Sequence, residues 1–565
     1  MKNEGAQPIG VGLYEDHNAG IAAVQGGEII LYSEIERHTR RKNQSGWWPE
    51  LIARLLETVP LDQIGAFSCP RPGVLRDFLC SRFGGHKRPD GQVELGGEPV
   101  RFLSQDDLHP QLHFLSTLVL PDMQPGVYIV IVFDAAQPQV GWVDLRGPLQ
   151  AIPPLSLTAQ EGRPWFVGDI FASLFGKMFY GKASLESCGK LMGLSSWGRA
   201  CVGGVEALRN LAQRHFDDFV PIWQGYDRVD PERLLKDVRT ILDIDPRRHD
   251  DGRTLDLAAA AQELFRHELI VQVKQGVARA MDDLAQRDLP KPRAVLYSGG
   301  CAMSVVTNGA IRKAIGLPVI VPPFSHDAGQ FVGGAIHAAL SADTTPMPLG
   351  RGWPKLPCHT SGRITSAELG ASGLPLRSVT PPDVAERIGR GQLVGCLAGG
   401  AEAGPRALGH RSLFANALDP GVRDRLNLEI KRREWYRPFA PMLPREAFPA
   451  YFDESATAGA RYMLDSFSIR PALRTQLSAV SSPDGLSRAQ AVEETVSPWI
   501  HDLLRELGHR TGHPIVLNTS LNGPGLPIAH GLDQALDDCH MLGLDAVVFH
   551  GDANGSDTLL FDLKQ

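Results

Sequence analysis

The stretch IGVGLYEDHNAGIAAVQGGEIILYSEIER, residues 9–37, decides how the rest of the chain is read. IGVGLY (9–14) is a short apolar run, EDHNAG turns it, and IAAVQGGEIILYSEIER follows with a Gly-Gly turn at 26–27. Short apolar runs bounded by glycine and polar clusters predict a strand–turn–strand opening, with polar side chains displayed in its first turn.

Working outward, strands alternate with helical patterns. VYIVIVFDAAQ (127–137) is an apolar strand that reaches Asp134 near its end, where a buried strand can present a polar group to a site. From Leu255 to Leu284 apolar residues recur at 257, 261, 264, 269, 273, 277 and 281 without a proline, which predicts a long helix. AVLYSGG (294–300) is the next strand, its glycines opening toward a helix that contains Asn308. The texture changes in SADTTPMPLGRGWPKLPCHTSGRIT (341–366 region), rich in Pro, Gly, Ser and Thr, which is read as a linker. A second α/β pattern follows, with strands near 393–397 and 514–518. No internal repeat is visible. The expected division is a first domain over 1–345, a linker over 346–375 and a second domain over 376–565.

At 565 residues the chain has room for at least two domains. Its net charge of −7 supplies no global positive field for nucleic acid or an anionic membrane, so neither is an expected partner. Eight scattered cysteines form no CxxC pair, which argues against a zinc ribbon and against a disulfide framework. The opening residues carry no signal-peptide pattern, and no apolar run approaches about 20 residues, the length of a membrane span. The expectation is a cytoplasmic protein; its oligomeric state is left open.

Two groups of residues carry chemistry. His109 and His113 stand four apart in LHPQLHFLSTL, on one face if the segment is helical, with Pro110 tolerated in a first turn. Two such imidazoles can bind one divalent metal, with Asp134 and Asp327 (in PPFSHDAGQ) as candidate oxygen donors; two unrelated histidines are the alternative. In SGGCAMSVVTNG (298–309), Gly299 and Gly300 allow close backbone approach to a nucleotide, with Asn308 beyond, and ESCGKLMGLSSWG offers Lys190 to a phosphate. The second group is basic. EAGPRALGHRSL (402–413) carries Arg406 and Arg411, KRREWYRPFAP (431–441) carries Lys431, Arg433 and Arg437, and SPDGLSRAQ carries Arg488. Guanidinium forks in Gly/Pro-rich loops suit a phosphate or carboxylate substrate, with a solvated salt-bridged face as the alternative. Asn518 and Ser520 in NTSLNG add small polar groups at a strand end.

In this order, HNAG, ERHTRRK, HPQLH, FDAA, GKLMGL, SGGCAMSVVTNG, PPFSHDAGQ, EAGPRALGHRSL, KRREWYRPFAP, SPDGLSRAQ and NTSLNGPGLPI resemble the carbamoyltransferases of nodulation and antibiotic tailoring. The nebramycin (tobramycin) and cephalosporin O-carbamoyltransferases belong to that family. The resemblance implies an α/β protein with an N-terminal actin-like ATPase-type domain and a C-terminal YrdC-like domain. The second would make carbamoyl adenylate from carbamoyl phosphate and ATP with Mg2+. The first would hold a metal, commonly Fe2+, through His109, His113, Asp134 and Asp327, and pass the carbamoyl group to a hydroxylated small-molecule acceptor. Lys190, Gly299, Gly300, Asn308 and the basic residues above would serve nucleotide and carbamoyl phosphate. His17 matches the histidine of the family's first turn, and Lys42 the lysine that closes ERHTRRK; both are implied as catalytic. Several positions depart from the family pattern: Asn18, Gly20, Ala135, Ser304, Ser482, Leu486 and Leu526. The tRNA-modifying threonylcarbamoyl transferases have relatives of both domains and are the runner-up reading; a diverged non-catalytic binding subunit is the second alternative.

Overall fold

The computed structural model describes residues 7–46, 49–87, 92–95, 98–120, 123–134, 138–147, 149, 152–157, 167–216, 230–342, 359, 362–551 and 558–564. The first half is built on two sheets. In the first, strands Glu28–Glu34, Gly20–Gln25, Ile9–Tyr14, Ile64–Cys69 and Glu98–Ser104 lie side by side, with two short strands added at the far edge. In the second, Ser156–Leu157, Gln139–Asp144, Val127–Val132, Ala294–Ser298 and Val319–Ile320 follow one another. Each sheet has its first three strands antiparallel and the last two joined in parallel. The strand order, third–second–first–fourth–fifth, is the same in both. This duplicated topology is the actin-like arrangement, and it corrects the reading of the chain as free of internal repeats. The repeat lies in strand order and direction, which different side chains can encode equally well.

Close packing sets where the site forms. A Cβ on Gly10 or Gly12 would come within 2.2 Å or 2.1 Å of backbone in the helix Ala328–Ala342, so only glycine lets that helix lie on the first strand. The same helix takes the His109–Leu115 helix across its Gly333, where a Cβ would meet Leu112 O at 2.0 Å. Asp327, just before the helix, therefore reaches both the opening hairpin and the two histidines.

The long helix spans Gly252–Gln286, starting slightly before the expected Leu255 because the Asp251 side chain accepts from Arg253 N and caps it. The second half is a mixed eight-stranded sheet in the order Arg377–Ser378, Thr558–Asp562, Ala546–His550, Val394–Ala398, Arg411–Asn416, Val516–Ser520, Ala440–Pro444, Gln490–Val492. Helices Pro381–Gly389 and Pro498–Thr511 pack on one face, and Leu532–Met541 on the other. The class is α/β throughout, and the strand orders of the first half are actin-like, as the resemblance implied. Half of the expected linker lies outside the described residues; its end forms the helix Ser366–Ala371, closed by a capping box of Thr365 and Glu368. The two halves share packing: Ala403, Leu408, Tyr436, Tyr462 and Leu464 belong to the first half's core.

Candidate metal centre and anion pocket

His109 and His113 start and nearly end one short helix, on one face as their spacing requires. With Asp134 and Asp327 they place four ligand atoms within 4.8 Å of one another. His109 Nε2 lies 3.0 Å from Asp134 Oδ2 and 3.6 Å from Asp327 Oδ1. His113 Nε2 stands 3.7 Å and 3.4 Å from the same two carboxylates, close enough to share one ion between them. His113 is fully buried. Burial alone would lower its pKa, but Asp134 and Asp327 outweigh it and push the imidazole up to about 9. Burial works against the charge of Asp134 as well, yet His109 and His113 hold it well below the usual carboxylate range. Two imidazole nitrogens and two carboxylate oxygens fit a divalent transition metal.

The surroundings orient these ligands. Gly300 N donates to Asp134 Oδ1 at 2.9 Å, leaving Oδ2 to the histidines. A Cβ on Gly300 would meet Asp134 Oδ1 at 2.6 Å, and one on Gly299, at φ +95°, would meet Phe133 O at 2.6 Å. Of these glycines, read from sequence as a nucleotide turn, Gly300 packs on the Asp134 carboxylate and Gly299 on the backbone that leads to it. Tyr14 donates to Asp327 Oδ2 at 3.0 Å, and His17 Nε2 lies 2.7 Å from the same oxygen. Hydrogen bonds with Asp16 and then Asp327 push the His17 pKa up to about 10. Such shells of partners commonly fix ligand orientation.

The second cluster has one sign of charge. Arg406, Arg433, Arg437 and Arg488 come together, and no carboxylate within salt-bridge distance pairs with any of them among the described residues. Arg406 Nε, Arg433 Nη2, Arg437 Nη1 and Arg488 Nε are all buried without a hydrogen-bond partner. Burial, then Arg488 and Arg437, drive Arg406 far below its ordinary pKa. Burial and Arg437 bring Arg433 down to about 9, and burial with Arg433 and Arg437 brings Arg488 to about 10. Buried like charges with orphaned donors are costly unless an anion takes them up.

Residues 385–553, which contain all four arginines, match the carbamoyltransferase C-terminus family. The chain is 32% identical over 276 residues to Nodulation protein U of Azorhizobium caulinodans, covering 48% of this chain and 47% of that protein. It is 34% identical over 241 residues to Nodulation protein U of Rhizobium tropici, covering 42% and 40%. The chain thus spans about half the length of the curated relatives it matches. Among solved structures, component A of the (R)-2-hydroxyglutaryl-CoA dehydratase of Acidaminococcus fermentans covers 59% of this chain and 98% of its own at 12% identity, with a TM-score of 0.31. That likeness is too low to bear on the fold, which stands on the sheet orders above.

Within the matched residues 385–553 several expected anion ligands have other partners. Arg411, fully buried, donates to five backbone carbonyls, those of Gly362, Ala398, Gly399, His410 and His530. Lys431 Nζ donates to Ser520 O and to Asn522 O at 3.0 Å. Asn518 Nδ2 donates to Ala407 O at 2.9 Å, and Ser520 Oγ to Asn522 Oδ1. These groups shape the loops that carry the arginines. In the first half, Asn308 Nδ2 bonds Ala302 O and Leu464 O at 2.7 and 2.8 Å, joining the halves. Lys190 lies on a regular helix, 3.0 Å from Glu186 and 2.6 Å from Glu434, so its charge is already matched.

Lys42 is separate from His17. It is exposed, yet the surrounding protein, then Arg437 and Arg433 against the pull of Glu186, holds its pKa below the usual lysine value. Lys42 therefore lies within electrostatic reach of Glu186, Arg437 and Arg433. The rest of ERHTRRK explains this, and was not read from sequence. Arg37, fully buried, donates to Gly404 O at 2.6 Å and to Glu402 O and Ile528 O at 3.3 Å, while Glu34 Oε1 accepts from Gly404 N. Arg40 forks onto both oxygens of Asp538 at 2.6 and 2.7 Å. Glu402 Oε1 in turn accepts from the backbone N–H groups of Leu408, His410 and Arg411, which fixes the loop that presents Arg406. The only available signal was the density of basic residues in ERHTRRK, which does not name a partner hundreds of residues away.

Among the described residues no helix is long and apolar enough to cross a membrane.

Proposed function

We propose that the chain is an ATP-dependent O-carbamoyltransferase acting on a hydroxyl of a small-molecule acceptor, with residues 1–345 as the transfer domain and 376–565 as the adenylate-forming domain. The observation that carries the reading is the set of four guanidinium groups with orphaned buried donors, set inside a carbamoyltransferase C-terminal domain. Carbamoyl phosphate and ATP with Mg2+ are the anions that would fill it. Water converts carbamoyl phosphate to carbamate and inorganic phosphate. A carbamate oxygen attacks the α-phosphorus of ATP, the bond to the β-phosphate breaks, and pyrophosphate leaves carbamoyl adenylate. Arg406, Arg433, Arg437 and Arg488 hold the phosphoryl oxygens and offset the charge as pyrophosphate departs.

Transfer belongs to the first half. The acceptor oxygen attacks the carbamoyl carbon, AMP leaves, and the hydroxyl proton must be taken up. His17 is half exposed on the ligand cluster and is the acceptor of that proton once the charge of Asp327 is shared with a cation. A divalent ion on His109, His113, Asp134 and Asp327 would supply positive charge against the adenylate phosphate; the donor set suits iron or a similar transition metal better than Mg2+. The direct test supplies ATP and carbamoyl phosphate to the purified chain and measures pyrophosphate. Release that requires both substrates is expected. A folded protein that releases none overturns the reading.

A further inference from the structure

The motif GKLMGLSSWG (189–198) was read for its lysine, but its contacts run to the loop that bears Arg433 and Arg437. Its helix, Leu185–Ser195, meets KRREWYRPFAP at three levels. Lys190 Nζ is 2.6 Å from Glu434 Oε1, the residue next to Arg433. A Cβ on Gly193 would lie 3.2 Å from Pro438 Cδ and 3.7 Å from Tyr436 O, so the helix backbone approaches the loop closely. Trp197 Nε1 donates to Tyr436 O at 3.4 Å, and its ring meets Trp435 edge-on at 4.6 Å. Nearby, the Tyr180 and Tyr436 hydroxyls share a hydrogen bond of 3.0 Å. Tyr436 is buried in the first half's core. From the other side Asn427 Nδ2 holds the carbonyls of Trp435 and Arg437 at 3.0 and 2.9 Å, so the loop is gripped by both halves.

We propose that Lys190 is a positioning residue for the arginine pocket: through Glu434 the first half fixes the loop whose arginines bind anion in the second. The inference rests on the anion-pocket reading and adds that the pocket is complete only with the first half in place. An ion pair that is mostly screened from water and joined to close backbone contact can hold a loop, whereas an isolated surface pair contributes little.

Two roles for Lys190 predict opposite signs at Glu434. If Lys190 touched the anion directly, removing Glu434 would free it and tighten binding. If Lys190 acts by positioning, removing Glu434 loosens the loop and weakens binding, even though a negative charge near the pocket has been removed. Pyrophosphate is titrated calorimetrically into the full-length parent protein, Lys190→Met, Glu434→Gln and the reversal Lys190→Glu/Glu434→Lys, with melting temperature as the check on folding. Both single variants are expected to bind about tenfold more weakly, and the reversal to recover most of the loss. Unchanged or tighter binding by Glu434→Gln overturns the positioning role, as does a reversal no better than the singles. A parent protein that binds no pyrophosphate overturns the anion pocket itself, and the inference with it.

Discussion

The two charged clusters solve the same electrostatic problem in opposite ways. Around Asp134 and Asp327 the signs alternate: each carboxylate has imidazoles within 4 Å, and the cluster is compensated from within. Around Arg406 all the charges agree, and the compensation has to arrive from outside. On the proposed function, the difference separates a place for a resident ion, whose ligands already attract one another, from a place for a passing anion, whose ligands repel until it binds. Arg411 sharpens the contrast. It is five residues from Arg406 and more fully enclosed, but its donors all meet carbonyls.

The largest expected effect breaks that contrast directly. Arg411→Ala strips five carbonyls of their donor at once and is expected to destabilise the protein by about 3–5 kcal/mol, read as a loss of chemical-denaturation midpoint. Arg406→Ala removes a cation from a repelling group. It should leave that midpoint unchanged or higher, while pyrophosphate release falls by about a hundredfold, the loss of about 2–3 kcal/mol of charge-assisted contact. Equal stability losses in the two variants would erase the distinction between them. In the compensated cluster, His113→Ala is expected to weaken metal binding by about 10–100-fold, measured by elemental analysis after equilibrium dialysis. Tyr14→Phe, which loses only the hydroxyl on Asp327 Oδ2, should weaken it by about 0.5–1.5 kcal/mol, or severalfold.

The parts that were readable from sequence are those whose cause is local. His109 and His113 share a helix, so a spacing of four is enough to put them on one face. Asp134 follows an apolar strand and was visible as its polar end. Arg406, Arg437 and Arg488 stood out because glycine and proline around them leave no helix face to explain them. What stayed hidden depends on distant chain. Lys190 looked like a phosphate ligand because Glu434 is on the other side of the linker. Arg411 looked like an anion ligand because Gly362 and His530 are remote in sequence. Lys42 was grouped with His17 by motif, and only the docking of Arg37 and Arg40 shows that its segment meets the second half. The duplicated sheet was invisible because strand order leaves no fixed residue pattern.

The most direct test of two clusters with two tasks is to disable one and assay both steps. His109→Ala is assayed for pyrophosphate release from ATP and carbamoyl phosphate, and by mass for carbamoylated product. Arg437→Ala is assayed the same way and then given carbamoyl adenylate made chemically. Residues that serve different steps should separate in such assays, whereas residues of one site fail together. The account predicts that His109→Ala keeps pyrophosphate release and loses product, while Arg437→Ala loses both until adenylate is supplied and then recovers product. A well-folded His109→Ala protein that no longer releases pyrophosphate would contradict it.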